Sequence, residues 1–156
     1  MRLDRMDLAI LDHLQRDGQA TSAELGAMAG LSASPAHRRQ KLLEEAGVIR
    51  QYVALLDQER VGLPVNVFVS VRLSAQTDES LRAFEQAITD CPEIMEAYVM
   101  SGASDYLLRV VASDLAAYEE FLRTRLTRMP GVSGVQSSFA LKRVAYRTNL
   151  PVRRKR

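Results

Sequence analysis

Two short stretches of this 156-residue chain hold side chains that could do chemistry. The first, residues 30–49, reads GLSASPAHRRQKLLEEAGVI. His37, Arg38, Arg39, Gln40 and Lys41 crowd into the front of what reads as a helix, and Leu42, Leu43 and Ala46 follow on one face. A helix that is basic at its front and apolar at its back can be pinned by its back half while its front half enters a DNA major groove. The same pattern also describes an amphipathic surface helix with a solvated basic face. The second stretch is Gly102-Ala103-Ser104-Asp105-Tyr106. A Gly-containing turn offers backbone N–H groups to an anionic group, and Asp105 or nearby carbonyls could accept from a cationic one. Gly and Asp are also what an ordinary hairpin turn uses.

No reaction centre is legible elsewhere. The histidines are His13 and His37, both read as surface helix positions, and there is no HExxH, GxGxxG, P-loop or Ser/His/Asp set. The single cysteine, Cys91, excludes an intrachain disulfide and a cysteine-based metal site, and reads as a small half-buried residue before Pro92. The chain is therefore expected to be no enzyme and to carry no metal or cofactor.

The surrounding elements are predicted as follows. Residues 4–17 form a helix with Met6, Ile10 and Leu14 on one face, Leu3 and Leu11 flanking it, and Asp7, Asp12, His13 and Arg16 outward. Thr21 and Glu24 make a capping box for a short helix that ends at Gly30, with Leu25 and Met28 inward. Ser34 caps the next helix, Pro35 takes its first position and Gly47 its exit. Two short helices joined by a Gly-containing turn behind a longer one are a helix-turn-helix arrangement. Residues 48–56 read as a wing-like strand and linker, and residues 57–64 as a polar hinge.

The second half reads strand, helix, strand, strand, helix, strand. Val65, Val67, Val69, Val71 and Leu73 alternate with polar residues, helices follow at 78–90 and 114–128, and a long last strand runs from Val132 to Tyr146. That order is the ferredoxin-like split βαβ pattern, which leaves one sheet face without helices. The uncovered face, expected to be rich in valine, predicts a homodimer packed sheet on sheet. The fold class is thus α+β. Residues 1–50 form a helix-turn-helix domain, 51–64 a strand linker, 65–148 a ferredoxin-like domain and 149–156 a basic tail.

Composition agrees with a globular protein, at 47% hydrophobic and 26% charged residues, with no apolar run long enough for a membrane span. The charged N-terminus is unlike a secretory signal, so a cytoplasmic location is expected. The net charge is only +2, but basic residues cluster at 38–41 and in Arg153-Arg154-Lys155-Arg156. A nucleic-acid footprint is a patch rather than a sum.

These residues resemble the Lrp/AsnC family of transcription regulators over nearly the whole chain. The matching motifs are Leu3-Asp4-Arg5-Met6-Asp7 with Ile10-Leu11, Ala29-Gly30-Leu31-Ser32, Arg38-Arg39, Leu43-Glu44-Glu45-Ala46-Gly47-Val48-Ile49 and Ala54-Leu55-Leu56-Asp57. In the second domain they are Ser101-Gly102, Asp105-Tyr106-Leu107-Leu108, Pro130-Gly131-Val132 and Ser137-Ser138-Phe139. Departures are Ala33 where the family often has proline, Ala36 where cysteine is common, Gln40 at a usually apolar place and Leu42 at a usually basic one. The resemblance implies double-stranded DNA contacts from Ser32, Ser34, His37, Arg38, Arg39 and Lys41. It implies a free amino-acid effector such as leucine, methionine or another hydrophobic amino acid at Gly102, Asp105 and Tyr106, with Gln136 and Ser138 offered by a neighbouring dimer. It further implies a homodimer, assembled as an octamer of four dimers, associated with the nucleoid. The alternative is an architectural DNA-organising protein that needs no effector.

Overall fold

A computed structural model describes residues 2–152; the Arg153–Arg156 run lies outside the described residues. The described chain falls into two compact units, one reaching to Leu55 and joined by the segment from Val144 on, the other from Leu56 to Arg143.

The first unit is three helices, α1 (Arg5–Leu14), α2 (Ser22–Ala29) and α3 (Ala33–Glu45). Asp4 starts α1: its carboxylate accepts from the N–H groups of Met6 and Asp7, and Asp7 accepts from the Asp4 N–H in return. Thr21 and Glu24 form the expected reciprocal cap on α2. α3 starts earlier than the sequence suggests, because Ser32 and not Ser34 is its N-cap, which moves Pro35 to the third helical position. Proline is tolerated there for the same reason as at the first, since none of those N–H groups has an intrahelical partner. The exit is as predicted, with Gly47 N–H bonded to Glu44 O and Val48 N–H to Leu43 O. Ile10, Leu11, Leu14, Leu25, Ala36 and Leu43 form the core. Each large apolar side chain buried there contributes about 1.5–3 kcal/mol. Five residues are reassigned: Met6, Met28, Leu42 and Ala46 are exposed, and Asp7 is buried.

The second unit contains β1 (Val65–Leu73), α4 (Asp78–Thr89), β2 (Ile94–Val99), β3 (Tyr106–Ala112), α5 (Leu115–Thr124), a 3-10 turn at Leu126–Arg128 and β4 (Val132–Phe139). The sheet order is β2-β3-β1-β4 with every neighbouring pair antiparallel, the ferredoxin-like arrangement. The alternation along β1 does set its faces, but with a consequence opposite to expectation. Val67, Val69 and Val71 are fully buried and pack with Phe84 of α4 and Phe121 of α5. The helix-free face instead carries Phe68, Ser70 and Arg72 of β1 opposite Arg109 and Leu107 of β3.

Two predicted strands are also corrected. Residues 48–56 form no strand, because no strand lies beside them in the chain to bond with; Val53, Leu55 and Leu56 are exposed. β4 ends at Phe139 rather than Tyr146. Its partner β1 begins at Val65, and after Ala140 N–H bonds to Asn66 O the ladder has run out of partner.

Candidate nucleic-acid interface and turn site

The helical period sorts α3 into two faces. Ala36 and Leu43 point into the core, and Arg39, three residues on from Ala36, turns inward with them. The opposite face presents Ser34, His37, Arg38 and Lys41, offset by three, four and seven residues and all exposed. Ser32 is exposed at the helix start, and its hydroxyl makes no cap bond.

These polar residues differ in what already holds them. Arg38 makes no hydrogen bond or ion pair among the described residues. His37 lies 3.3 Å from the Ser22 hydroxyl of α2. The Lys41 ammonium sits 2.9 Å from Glu44, which raises its pKa and lowers that of the carboxylate. Gln40 bonds both Glu44 and the Tyr52 hydroxyl, so its departure from the family pattern is absorbed by a polar clamp on the linker.

Arg39 is held differently from its neighbour. One guanidinium nitrogen, Nη1, lies 2.7 Å from Asp7 and 2.8 Å from Asp4. Those hydrogen bonds, the one to Asp7 foremost, raise the Arg39 pKa. Arg39, expected to reach DNA, is thus tied between α3 and the start of α1 by both carboxylates. The signal was in the sequence: the spacing Ala36, Arg39, Leu43 is that of the buried stripe, and Asp4 and Asp7 have capping-box spacing.

Sequence reasoning also passed over Gly26. It is buried in α2, and a Cβ built there would lie 2.7 Å from the Leu31 carbonyl oxygen and 3.1 Å from Ser32, both backbone. Glycine lets the α2–α3 turn fold back onto its own helix. Gly26→Ala is expected to destabilise this unit by about 1–3 kcal/mol despite alanine's better helix propensity, because backbone must move. Urea unfolding of the parent and variant checks this, and unchanged stability would show that the turn gives way.

At the second stretch, Gly102 has φ 123°, a conformation that favours glycine, with open space around it. The backbone N–H groups of residues 101–104 are unpaired among the described residues. Asp105, however, is already engaged. Its Oδ2 accepts from Leu73 N–H at 2.7 Å, and its Oδ1 accepts from Gln76 Nε2 at 2.6 Å. Its main chain is tied as well, N–H to Val71 O and O to Met100 N–H. Asp105 thus fastens the turn to the end of β1, and a ligand ammonium would have to share its oxygens. Tyr106 is 2% exposed, packs on Phe84 and donates its hydroxyl to Glu85; burial chiefly, with that bond, pushes its pKa up to about 12. It is a core residue and does not reach the turn's open side. Gln136 and Ser138 are exposed on the helix-free face, opposite Ser70 and Phe68, and β1 separates their strand from β3. The two halves of the expected effector site are therefore not brought together within one chain.

The comparisons with known proteins follow the same division. Residues 3–50 match a winged helix-turn-helix DNA-binding domain and residues 66–150 the Lrp/AsnC ligand binding domain. The Bkd operon transcriptional regulator of Pseudomonas aeruginosa is 47% identical over 150 residues, covering 96% of this chain and 98% of the relative. An AsnC family transcriptional regulator from Agrobacterium tumefaciens superposes with a TM-score of 0.90 at 43% identity, covering 96% of this chain and 97% of the other. A transcriptional regulator from Neisseria meningitidis, solved as an L-Met complex, superposes with a TM-score of 0.91 at 37% identity over the same shares. With both domains matched in order and relatives aligned along nearly their full length, the chain belongs to the Lrp/AsnC family of transcriptional regulators.

Proposed function

We propose that this protein reads chromosomal DNA through the exposed stripe of α3 and is tuned by a free amino acid bound at the 101–105 turn, acting as at least a dimer. The observation that carries the reading is the sorting of α3: Ser34, His37, Arg38 and Lys41 face out while Ala36, Arg39 and Leu43 secure the helix from behind. Arg38, with no partner of its own among the described residues, is the side chain best placed to reach a base edge. The L-Met bound to the Neisseria meningitidis relative supports a hydrophobic amino acid as effector. Half-exposed Phe68 and Tyr98 on the helix-free sheet face support a second copy of the chain as its cover, with Gln136 and Ser138 lying on that same face.

Selection from a random-sequence duplex library, with and without L-methionine or L-leucine, tests the reading. Arg38→Ala is expected to weaken binding to the selected site by about 1–3 kcal/mol and relax one base position, leaving thermal stability unchanged. Recovery of no preferred sequence, or a variant that binds as the parent does, would sink the α3 assignment. A monomer in light scattering at micromolar concentration would sink the dimer.

A further inference from the structure

We propose that the linker governs one basic charge of the DNA-reading helix: Tyr52 fixes Glu44, Glu44 holds Lys41 back from DNA phosphates, and drawing Tyr52 away releases it. The inference rests on the DNA-binding reading above and adds the regulation of that same face.

Glu44 is the shared member of the cluster. Its Oε2 accepts from Lys41 Nζ at 2.9 Å. Its Oε1 accepts from the Tyr52 hydroxyl at 3.0 Å and from Gln40 Nε2 at 3.2 Å, and Gln40 Nε2 also donates to the Tyr52 oxygen at 2.9 Å. Gln40, Lys41 and Glu44 all stand on α3, whereas Tyr52 comes from the linker. The Tyr52 ring lies against Gly18, beyond the end of α1, where an added Cβ would come within 3.2 Å of it. Glycine there makes room for the ring, and the seated ring carries its hydroxyl to α3. Residues 53–56 make no hydrogen bond among the described residues. Tyr52 is therefore the last hydrogen-bonded hold of the linker before the chain enters the second unit at Leu56.

An exposed ion pair on a helix is ordinarily weak, because two long side chains must be ordered to make it. Here one of the two is ordered already. With Oε1 fixed by two donors, Oε2 is presented to Lys41, and the Glu44 side chain is only 24% exposed against 56% for Lys41. Lys41 faces out on the same stripe as Ser34, His37 and Arg38, so a phosphate and Glu44 compete for one ammonium. Moving the linker withdraws a donor from Oε1 and lets the carboxylate turn into water. The pair then bears the full ordering cost again, and Lys41 is free to meet the DNA backbone. Affinity for duplex DNA, and its dependence on salt, grow with each phosphate neutralised. A pull on the linker from the ligand-binding unit thus reaches the DNA-reading face through a single hydroxyl.

The test uses the full chain, Tyr52→Phe, Lys41→Ala and the double variant, each titrated against a labelled mixed-sequence duplex about three helical turns long. Salt is varied, and thermal unfolding is followed beside the titrations. Tyr52→Phe changes no charge and keeps the ring on Gly18. It is expected to bind about two- to fivefold more tightly than the parent at low salt, the range set by an exposed ion pair. The slope of log K against log salt should steepen by about 0.9 for the one phosphate gained. Lys41→Ala should cost about two- to fivefold more in the Tyr52→Phe background than in the parent, because only there is the ammonium free. A purely structural tyrosine predicts the reverse sign, with weaker binding and a lower melting temperature. A Tyr52→Phe protein that binds no more tightly than the parent, or a gain that survives Lys41→Ala, overturns the latch and leaves the DNA reading standing. A parent that binds no duplex at low salt overturns both.

Discussion

Arg39→Ala is expected to destabilise the helix-turn-helix unit by about 2–4 kcal/mol, although Arg39 stands beside the side chain proposed to read DNA. Asp7 is 3% exposed and its carboxylate faces the Arg39 guanidinium. Removing one member of a fully buried pair costs about 3–5 kcal/mol, chiefly because the other charge is left in a low-dielectric site. Here the Arg39 side chain is 29% exposed and Asp4 50%, so water recovers part of the loss and about 2–4 kcal/mol is expected. A unit of this size has only about 3–8 kcal/mol of stability to lose. Because Nη1 alone touches both carboxylates, Arg39→Lys should lose less, its ammonium being a point charge that can lie between them. Asp7→Ala should destabilise the same unit without removing any basic group. Thermal unfolding followed by circular dichroism, run beside DNA titrations, separates a brace from a DNA-reading side chain. An Arg39→Ala protein that melts as the parent does while losing DNA affinity would return Arg39 to the interface.

The same brace predicts a direction with pH. The Asp7 backbone N–H first, then Arg39 and the Met6 N–H, hold Asp4 below its ordinary 3.8. A carboxylate whose folded pKa is depressed contributes stability that is fully present above its unfolded pKa and is lost as pH falls through the folded value. Acid unfolding of this unit should therefore begin below about pH 4, and the onset should move upward in Asp4→Asn, which also loses the charge pair.

Element order, the capping box at Thr21, the Gly47 exit and the split βαβ topology were legible from local chemistry, because each depends on side chains within a few residues of one another, whereas the matching box at Asp4 went unread. The start of α3 was not, since Ser32 and Ser34 are equally good caps and Pro35 fits the first turn in either register. The linker at residues 48–56 has the composition of a strand, yet a strand exists only when something pairs with it. The charge of Arg39 outweighs its spacing to the eye, and its partners lie 32 and 35 residues away. Tyr106 is drawn into the turn site by standing next to Asp105, although the alternation Tyr106, Leu108, Val110 already places it among the inward residues. In each case the residue type is plain in the sequence and the neighbour that uses it is out of view.

Asp105→Ala is expected to shift the amino-acid response to about tenfold or more higher effector concentration, while DNA binding without effector persists. The carboxylate's present partners give the reason. Leu73 is buried, and its N–H has Asp105 as its partner, so alanine leaves a donor without an acceptor at a cost of about 1–3 kcal/mol. Gln76 is released at the same time, and the turn loses its side-chain fastening to β1. The open N–H groups at residues 101–104 can serve a ligand carboxylate only while the turn keeps them aimed, and ordering a loosened loop opposes binding. A loss of about 1.4 kcal/mol is about tenfold in affinity, so a tenfold or greater weakening follows. Asp105→Asn separates the two roles open to this residue. Asparagine keeps an acceptor for Leu73 N–H and can meet a reoriented Gln76 amide, so a brace survives, but it offers no charge to an ammonium. If Asp105 acts as a brace, Asn should retain most of the L-methionine affinity measured by calorimetry and Ala should not. If Asn fails as completely as Ala while both proteins unfold at the parent's temperature, the carboxylate is itself the ligand's partner and shares its oxygens with the turn.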